Sequence, residues 1–191
     1  MCPKITESHR HDLRQRLIDI ALTSFSKYGY DKTRMEDIAT TADVAKGTLY
    51  LYFKNKEDLF TAISERNIEK LKNHFITIFN NKEELISGLE TFYKQFKNPD
   101  NKVFFEIVAE SSRNSKLRQL LHEHRKKIIE MIIKYVDLQK SKGFLKKDLQ
   151  SKTIAYILVA QYDGLRINRI LGMNEEENNR VWIELIKKLF Y

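Results

Sequence analysis

Cysteine is almost missing from this 191-residue chain. The one thiol, Cys2, has no internal partner for a disulfide and belongs to no Cys/His cluster that could frame a zinc site. The chain therefore fits a reducing cytoplasm and depends on its apolar core for cohesion. Two prolines and six glycines are too few for a strand-rich fold with many tight turns, which leaves long helices. No apolar run approaches the roughly 18 residues of a spanning helix, and the N-terminus lacks the apolar core of a signal peptide. A soluble cytoplasmic protein with no membrane partner is expected. A Gly-rich phosphate loop, a nucleophile elbow and paired catalytic carboxylates are all lacking, so neither an enzyme nor a cofactor is expected. His9/His11 and His122/His124 are each two apart, which on a helix splays them by about 200° and rules out one shared metal.

What is present is 42% hydrophobic and 31% charged residues, with a net charge of +8. The excess is unevenly placed. Residues 1–60 hold ten Lys and Arg against nine Asp and Glu, whereas residues 61–191 hold 24 against 17. Ten of those bases fall between Lys116 and Lys147, offset only by Glu123, Glu130 and Asp137. That run reads first as a solvated helix face; its sharper reading is a surface that attracts an anionic effector.

The apolar spacing is helical nearly throughout. Leu13, Leu17, Ile18, Ile20, Ala21 and Phe25 recur with helical period from Asp12 to Tyr28, and Gly29 stands where helices end. Thr33 and Glu36 read as a capping box opening a second helix through Ala42. Asp43 and Val44 make a turn, and a third helix runs from about Ala45 to Phe53. Asn55 can cap a fourth, with Glu57 and Asp58 suited to its positive end, and its apolar stripe reaches about Asn80. Further helices are expected at about 82–97, 102–112, 116–141, 149–171 and 175–190. The fold class is all-α, about nine helices. It divides into a three-helix head over residues 1–55 and a larger helical domain over 56–191.

Two short helices joined by a tight turn present the second outward, shaped for a DNA major groove. On a helical wheel Leu49 and Phe53 of the third helix share one face, toward Ile38 and Phe25. Gly47 and Leu51 point away, Thr48 and Tyr50 flank them, Lys54 faces out, and Tyr52 lies nearer the buried edge. Between Val44 and Lys56 there are three lysines and no acid, so this face can approach DNA without repulsion. The Tyr and Thr hydroxyls and the Lys54 and Lys56 ammoniums suit phosphate oxygens. Backbone N–H groups near Thr33 offer another phosphate site, and Arg34 beside them could reach a base edge or a phosphate. By spacing alone, Tyr50, Lys54 and Lys56 read equally well as an ordinary solvated face.

The stretch DIATTADVAKGTLYLYFKNKEDLF, residues 37–60, resembles the DNA-binding signature of the tetracycline-repressor (TetR) family of bacterial regulators, and the likeness covers roughly residues 12–60. It implies phosphate or base contacts at Thr33, Lys46, Gly47, Thr48, Tyr50, Tyr52 and Lys56. The family usually has Gly where Asp43 stands, and Asp tolerates left-handed backbone less well than Gly. It commonly has Ser where Ala45 stands; alanine cannot cap, a loss worth about 0.5–2 kcal/mol elsewhere. A looser start to the recognition helix is expected. No Arg, Asn or Gln lies on the outward face from Gly47 to Leu51, so bidentate base pairs are missing there. Leu51 could touch a thymine methyl and Thr48 one base. Specificity is expected to lean on Arg34, half-site spacing and DNA shape.

The same resemblance implies a homodimer and a small-molecule pocket in the larger domain. Candidates for the pocket are Phe75, Phe79, Tyr93, Phe96 and Phe104, with the polar Glu106, Glu110, Tyr162, Asp163 and Arg166 among them. A carboxylate would favour a cationic effector and Arg166 an anionic one, unless they pair internally. Candidates for the dimer interface are Ile157, Gln161, Gly164 and Leu165, then Trp182, Leu185, Ile186 and Leu189; each could equally be intrachain core. The expected function is a homodimeric regulator, most simply a repressor of a pseudo-palindromic operator in double-stranded DNA, released by an unknown effector. The alternative is a helical binding or scaffold protein that keeps the head without using an operator.

Overall fold

Eight helices with defined bounds, a short helical piece at 87–89 and no strand make up the computed structural model, which describes residues 7–78, 87–89, 101–145 and 148–190. They are α1 (Glu7–Tyr28), α2 (Met35–Thr41), α3 (Lys46–Tyr52), α4 (Lys56–Ile78), α5 (Asn101–Glu110), α6 (Ser115–Ser141), α7 (Ser151–Ile170) and α8 (Glu175–Phe190). The fold is all-α as the periodicity predicts. Most of the helix expected over 82–97 lies outside the described residues. Among those described, no helix is long and apolar enough to cross a membrane.

Local chemistry explains most boundaries. In α1, Leu17, Ile18, Ala21 and Phe25 are buried, the spacing of one helical face. The helix stops at Gly29, whose φ of +85° costs a glycine little and whose N–H bonds Phe25 O at 2.9 Å. It begins five residues before the predicted Asp12, because the solvated turn ahead of it carries no apolar pattern to read. Asn55 caps α4 as expected, its Oδ1 accepting from Asp58 N–H at 2.8 Å. Asn174 does the same for α8, accepting from Glu176 and Glu177 N–H at 2.8 and 3.1 Å.

The start of α2 departs from expectation. Arg34, not Thr33, is the cap residue, and its N–H donates to Asp37 Oδ2 at 3.2 Å. Thr33 is buried, and its hydroxyl donates to Gly29 O at 2.7 Å and Ser24 O at 3.3 Å. A buried hydroxyl needs an acceptor, and the end of α1 supplies one, so the capping register moves on by one residue.

The chain forms two compact units. The first comprises residues 1–66 and 102–121. Its core joins Leu17, Ile18 and Phe25 of α1, Ile38 of α2 and Leu49 of α3 with Val103 and Ile107 of α5 and Leu117 of α6. Fully burying one such side chain is worth about 1.5–3 kcal/mol. The second unit comprises residues 67–101 and 122–191, cored by Ile132 and Val136 of α6, Ile154, Leu158 and Leu165 of α7, and Trp182 and Ile186 of α8. Trp182 Nε1 donates to Leu89 O at 2.7 Å, which satisfies a buried polar atom that would otherwise be costly.

Candidate nucleic-acid interface

α2 and α3 are joined through Ala42–Ala45. The turn tightens through Asp43 N–H to Thr40 O at 3.0 Å and Val44 N–H to Ala39 O at 3.1 Å. Asp43 sits at φ +51°, the left-handed geometry that short Asp side chains tolerate and glycine takes without strain. At the head of α3, Ala45 has the extended backbone of a cap but makes no side-chain cap bond. Both positions thus carry a local penalty that their replacements would remove. Asp43→Gly and Ala45→Ser together are expected to stabilise the first unit by about 1–2 kcal/mol, seen as a higher melting temperature; unchanged melting would refute this account of the turn.

The two faces of α3 separate cleanly. Leu49 and Phe53 are buried, and the Arg14 guanidinium stands 5.3 Å from the Phe53 ring centroid. Leu51 is 85% exposed; Gly47, Tyr50 and Lys54 are also exposed, and Thr48 and Tyr52 half-buried. Gly47 is telling because a Cβ built there meets nothing within 4 Å. Internal packing does not require this glycine, although glycine inside a helix costs about 1 kcal/mol relative to alanine. The room it leaves opens to the outside of the molecule. Gly47→Ala is expected to raise the stability of the head by about 0.5–1 kcal/mol yet weaken DNA binding. Unimpaired binding by the stabilised variant would remove Gly47 from the contact surface.

The cations differ in their freedom. Lys46 Nζ pairs with Glu36 Oε1 at 2.6 Å on the surface and lies 5.8 Å from the Tyr50 ring centroid. The pairing bond holds the Glu36 carboxyl below its ordinary range and raises Lys46. Sequence reasoning finds no acid from Val44 to Lys56 and so misses Glu36, which the fold brings across from α2. Lys56 donates from Nζ to Tyr30 O at 2.8 Å and Asp31 O at 2.9 Å, 4.7 Å from the Tyr30 ring centroid. It ties α4 to the α1–α2 connection, with one ammonium proton left over. Lys54 has its N–H bound to Asp58 Oδ2 at 3.0 Å and its side chain exposed. Arg34 is exposed at the head of α2. Thr33 is corrected: 2% exposed, with hydroxyl and N–H both directed to Gly29 O, it has nothing to offer a phosphate.

The residues expected around an effector fall in both units. Phe104, Glu106 and Glu110 belong to the first, where Glu106 Oε2 lies 3.0 Å from the Cβ position of Gly29. Burial, then the Glu57 and Glu110 carboxylates, push the Tyr30 hydroxyl well above its usual pKa. Phe75, Tyr162, Asp163 and Arg166 belong to the second. There Asp163 is ion-paired with Arg125 and, at 3.5 Å, with Arg166, whose guanidinium stands 5.6 Å from the Tyr162 ring centroid. The internal pairing left open by the sequence is the one observed. Phe79, Tyr93 and Phe96 lie outside the described residues.

The interface candidates divide as well. Leu165, Trp182, Ile186 and Leu189 are buried in the second unit's own core and are corrected to intrachain packing. One apolar stripe per helix cannot say which of two partners it meets. Gln161 and Leu185 are half-buried, while Ile157 and Gly164 are exposed. Exposed Tyr156, Ile167, Ile170 and Val181 extend the apolar surface of α7 and α8.

Comparison with known proteins fits this geometry. The sequence model described as bacterial regulatory proteins, tetR family, matches residues 17–63. The chain is similar to the fatty acid metabolism regulator protein of Bacillus subtilis, 30% identical over 143 residues that cover 73% of this chain and 69% of that one. It is also similar to the biofilm operon icaADBC HTH-type negative transcriptional regulator IcaR of Staphylococcus epidermidis, 26% identical over 176 residues, covering 88% of this chain and 92% of the relative. Among solved structures, Salmonella enterica GusR superposes with a TM-score of 0.78 at 22% identity, over 98% of each chain.

Proposed function

Because the chain belongs to the TetR family of bacterial transcriptional regulators, we propose that it acts as a homodimeric repressor, released from a pseudo-palindromic operator by a small-molecule effector. The observation that carries this reading is the outward face of α3: Gly47, Tyr50, Leu51 and Lys54 exposed together, with a glycine that the protein's own packing does not need. In this reading Tyr50, Lys54 and the spare proton of Lys56 hold phosphates, Tyr52 and Thr48 flank them, and Leu51 and Arg34 meet the bases. Lys46 joins them only by leaving Glu36. The negative regulator IcaR among its relatives favours repression over activation.

A single short recognition helix binds weakly, and two related by a twofold axis read both half-sites. The exposed apolar residues Tyr156, Ile157, Ile170 and Val181 on α7 and α8 supply the surface for a second copy. α5 supplies the route to the head. Val103 and Ile107 sit in the head's core and Glu106 lies against Gly29, so an effector that shifts α5 would reposition the reading helices.

The test is selection of genomic fragments by the purified protein, followed by titration against one fragment over a range of salt. A steep salt dependence together with a preferred site supports the reading, since released counterions report phosphate contacts. Binding without site preference would refute operator use. Ile157→Asp is expected to shift the protein from dimer to monomer in sedimentation and lower site affinity at least about tenfold through lost bivalency. A variant that stays dimeric would move the interface elsewhere.

A further inference from the structure

Lys46, Lys54 and Lys56 stand around the outward face of α3, and the fold treats them differently. Lys56 Nζ donates to the Tyr30 and Asp31 carbonyls, which carry no net charge. Lys54 is exposed and has no ion pair among the described residues. Lys46 alone of the three faces a carboxylate there, with Nζ 2.6 Å from Glu36 Oε1. α2 does not need that acid for its own start. Asp37 already closes the cap by accepting Arg34 N–H at 3.2 Å, and Glu36 adds only the general fit of an acid to a helix's positive end. Lys46 opens α3, the wrong end of a helix for a cation, behind an alanine that makes no side-chain cap bond. The pair offsets that mismatch on the surface proposed to meet DNA. Its side chains are 61% and 48% exposed, and the Tyr50 ring centroid is 5.8 Å from Lys46 Nζ.

We propose that Glu36 competes with DNA phosphate for Lys46, and so sets duplex affinity below what the cations of the reading head would otherwise give. An ammonium has three protons to donate but a single charge. With a carboxylate against it, Lys46 is already neutralised, and a phosphate that reaches Tyr50 meets a net-neutral pair that displaces no counterion. If Lys46 stays on Glu36, one phosphate contact per subunit is forgone. If it transfers, the exposed pair is broken. Both lower affinity, and removing the carboxylate restores it. Competition of this kind rests on the DNA-binding role proposed above, but it concerns phosphates, which every duplex carries, and no particular operator.

The test is a double-mutant cycle in the full-length protein: parent, Glu36→Gln, Lys46→Met and both together. Each is titrated with a selected genomic fragment and with a random-sequence duplex of equal length, at several salt concentrations. Both positions are exposed, so all four proteins should melt alike. In the parent background Glu36→Gln is expected to bind either duplex about fivefold more tightly, the worth of one exposed ion pair in each half of a dimer. The slope of log affinity against log salt should steepen by about two, one newly neutralised phosphate per subunit. In the Lys46→Met background the same change should gain no more than about twofold, the remainder of plain repulsion after screening. Glu36→Ala, which also deletes the carboxylate, is expected to repeat the pattern. Equal gains in the two backgrounds would reduce Glu36 to an ordinary repelling charge and overturn the competition, as would no gain in the parent. Should the parent bind both duplexes alike, operator use fails while the cycle still decides the role of Glu36. Should no protein in the cycle bind either duplex at low salt, DNA binding and the competition fall together.

Discussion

Tyr50→Phe combined with Lys54→Ala is expected to weaken operator binding by about ten- to a hundredfold while leaving the melting temperature unchanged. In the proposed reading the two changes remove two phosphate donors from each half of a dimer, and four solvent-exposed hydrogen bonds at about 0.5 kcal/mol net each sum to about 2 kcal/mol, roughly thirtyfold. Both residues are exposed, and Tyr50→Phe keeps the ring beside Lys46, so the fold has no reason to respond. Losing one lysine per subunit also lowers the salt dependence, by about two in the slope of log affinity against log salt. A weaker complex with the original slope would mean that Lys54 touches no phosphate. Full affinity would remove both residues from the interface.

Leu49→Ala should instead act through folding. Leu49 is wholly buried while Leu51, two residues on, is 85% exposed. Truncating a leucine in a packed core costs about 2–5 kcal/mol, a large share of the 5–15 kcal/mol typical of a domain. The melting temperature should fall sharply, with DNA binding lost as the head unfolds. Leu51→Ala should melt like the parent and alter only the preference among sites, by about 1–3 kcal/mol at most at the base concerned. If the two variants melted alike, the assignment of faces on α3 would be wrong.

These two leucines also show why much of the head was legible. Helical periodicity on a seven-residue element separates inside from outside without any tertiary knowledge, and Asn55 announces its cap in sequence. Thr33 does not, because what reassigns its hydroxyl is the end of α1, folded back over it. Glu36 and Lys46 are ten residues apart on different helices, and their pairing exists only once the turn through Asp43 is made. In the larger part of the chain, periodicity marks Trp182 and Ile186 as buried but cannot tell an intrachain neighbour from a second copy.

The first compact unit is discontinuous, taking residues 102–121 together with 1–66. Anyone building hybrid sensors by grafting this reading head onto a foreign response module would naturally cut near residue 56. That cut would strip Val103, Ile107 and Leu117 from the cluster that holds Leu17, Ile38 and Leu49 and leave a greasy scar on the transplant. A graft that carries the distant segment along, or recreates its three apolar anchors in the recipient, keeps the donor's head whole.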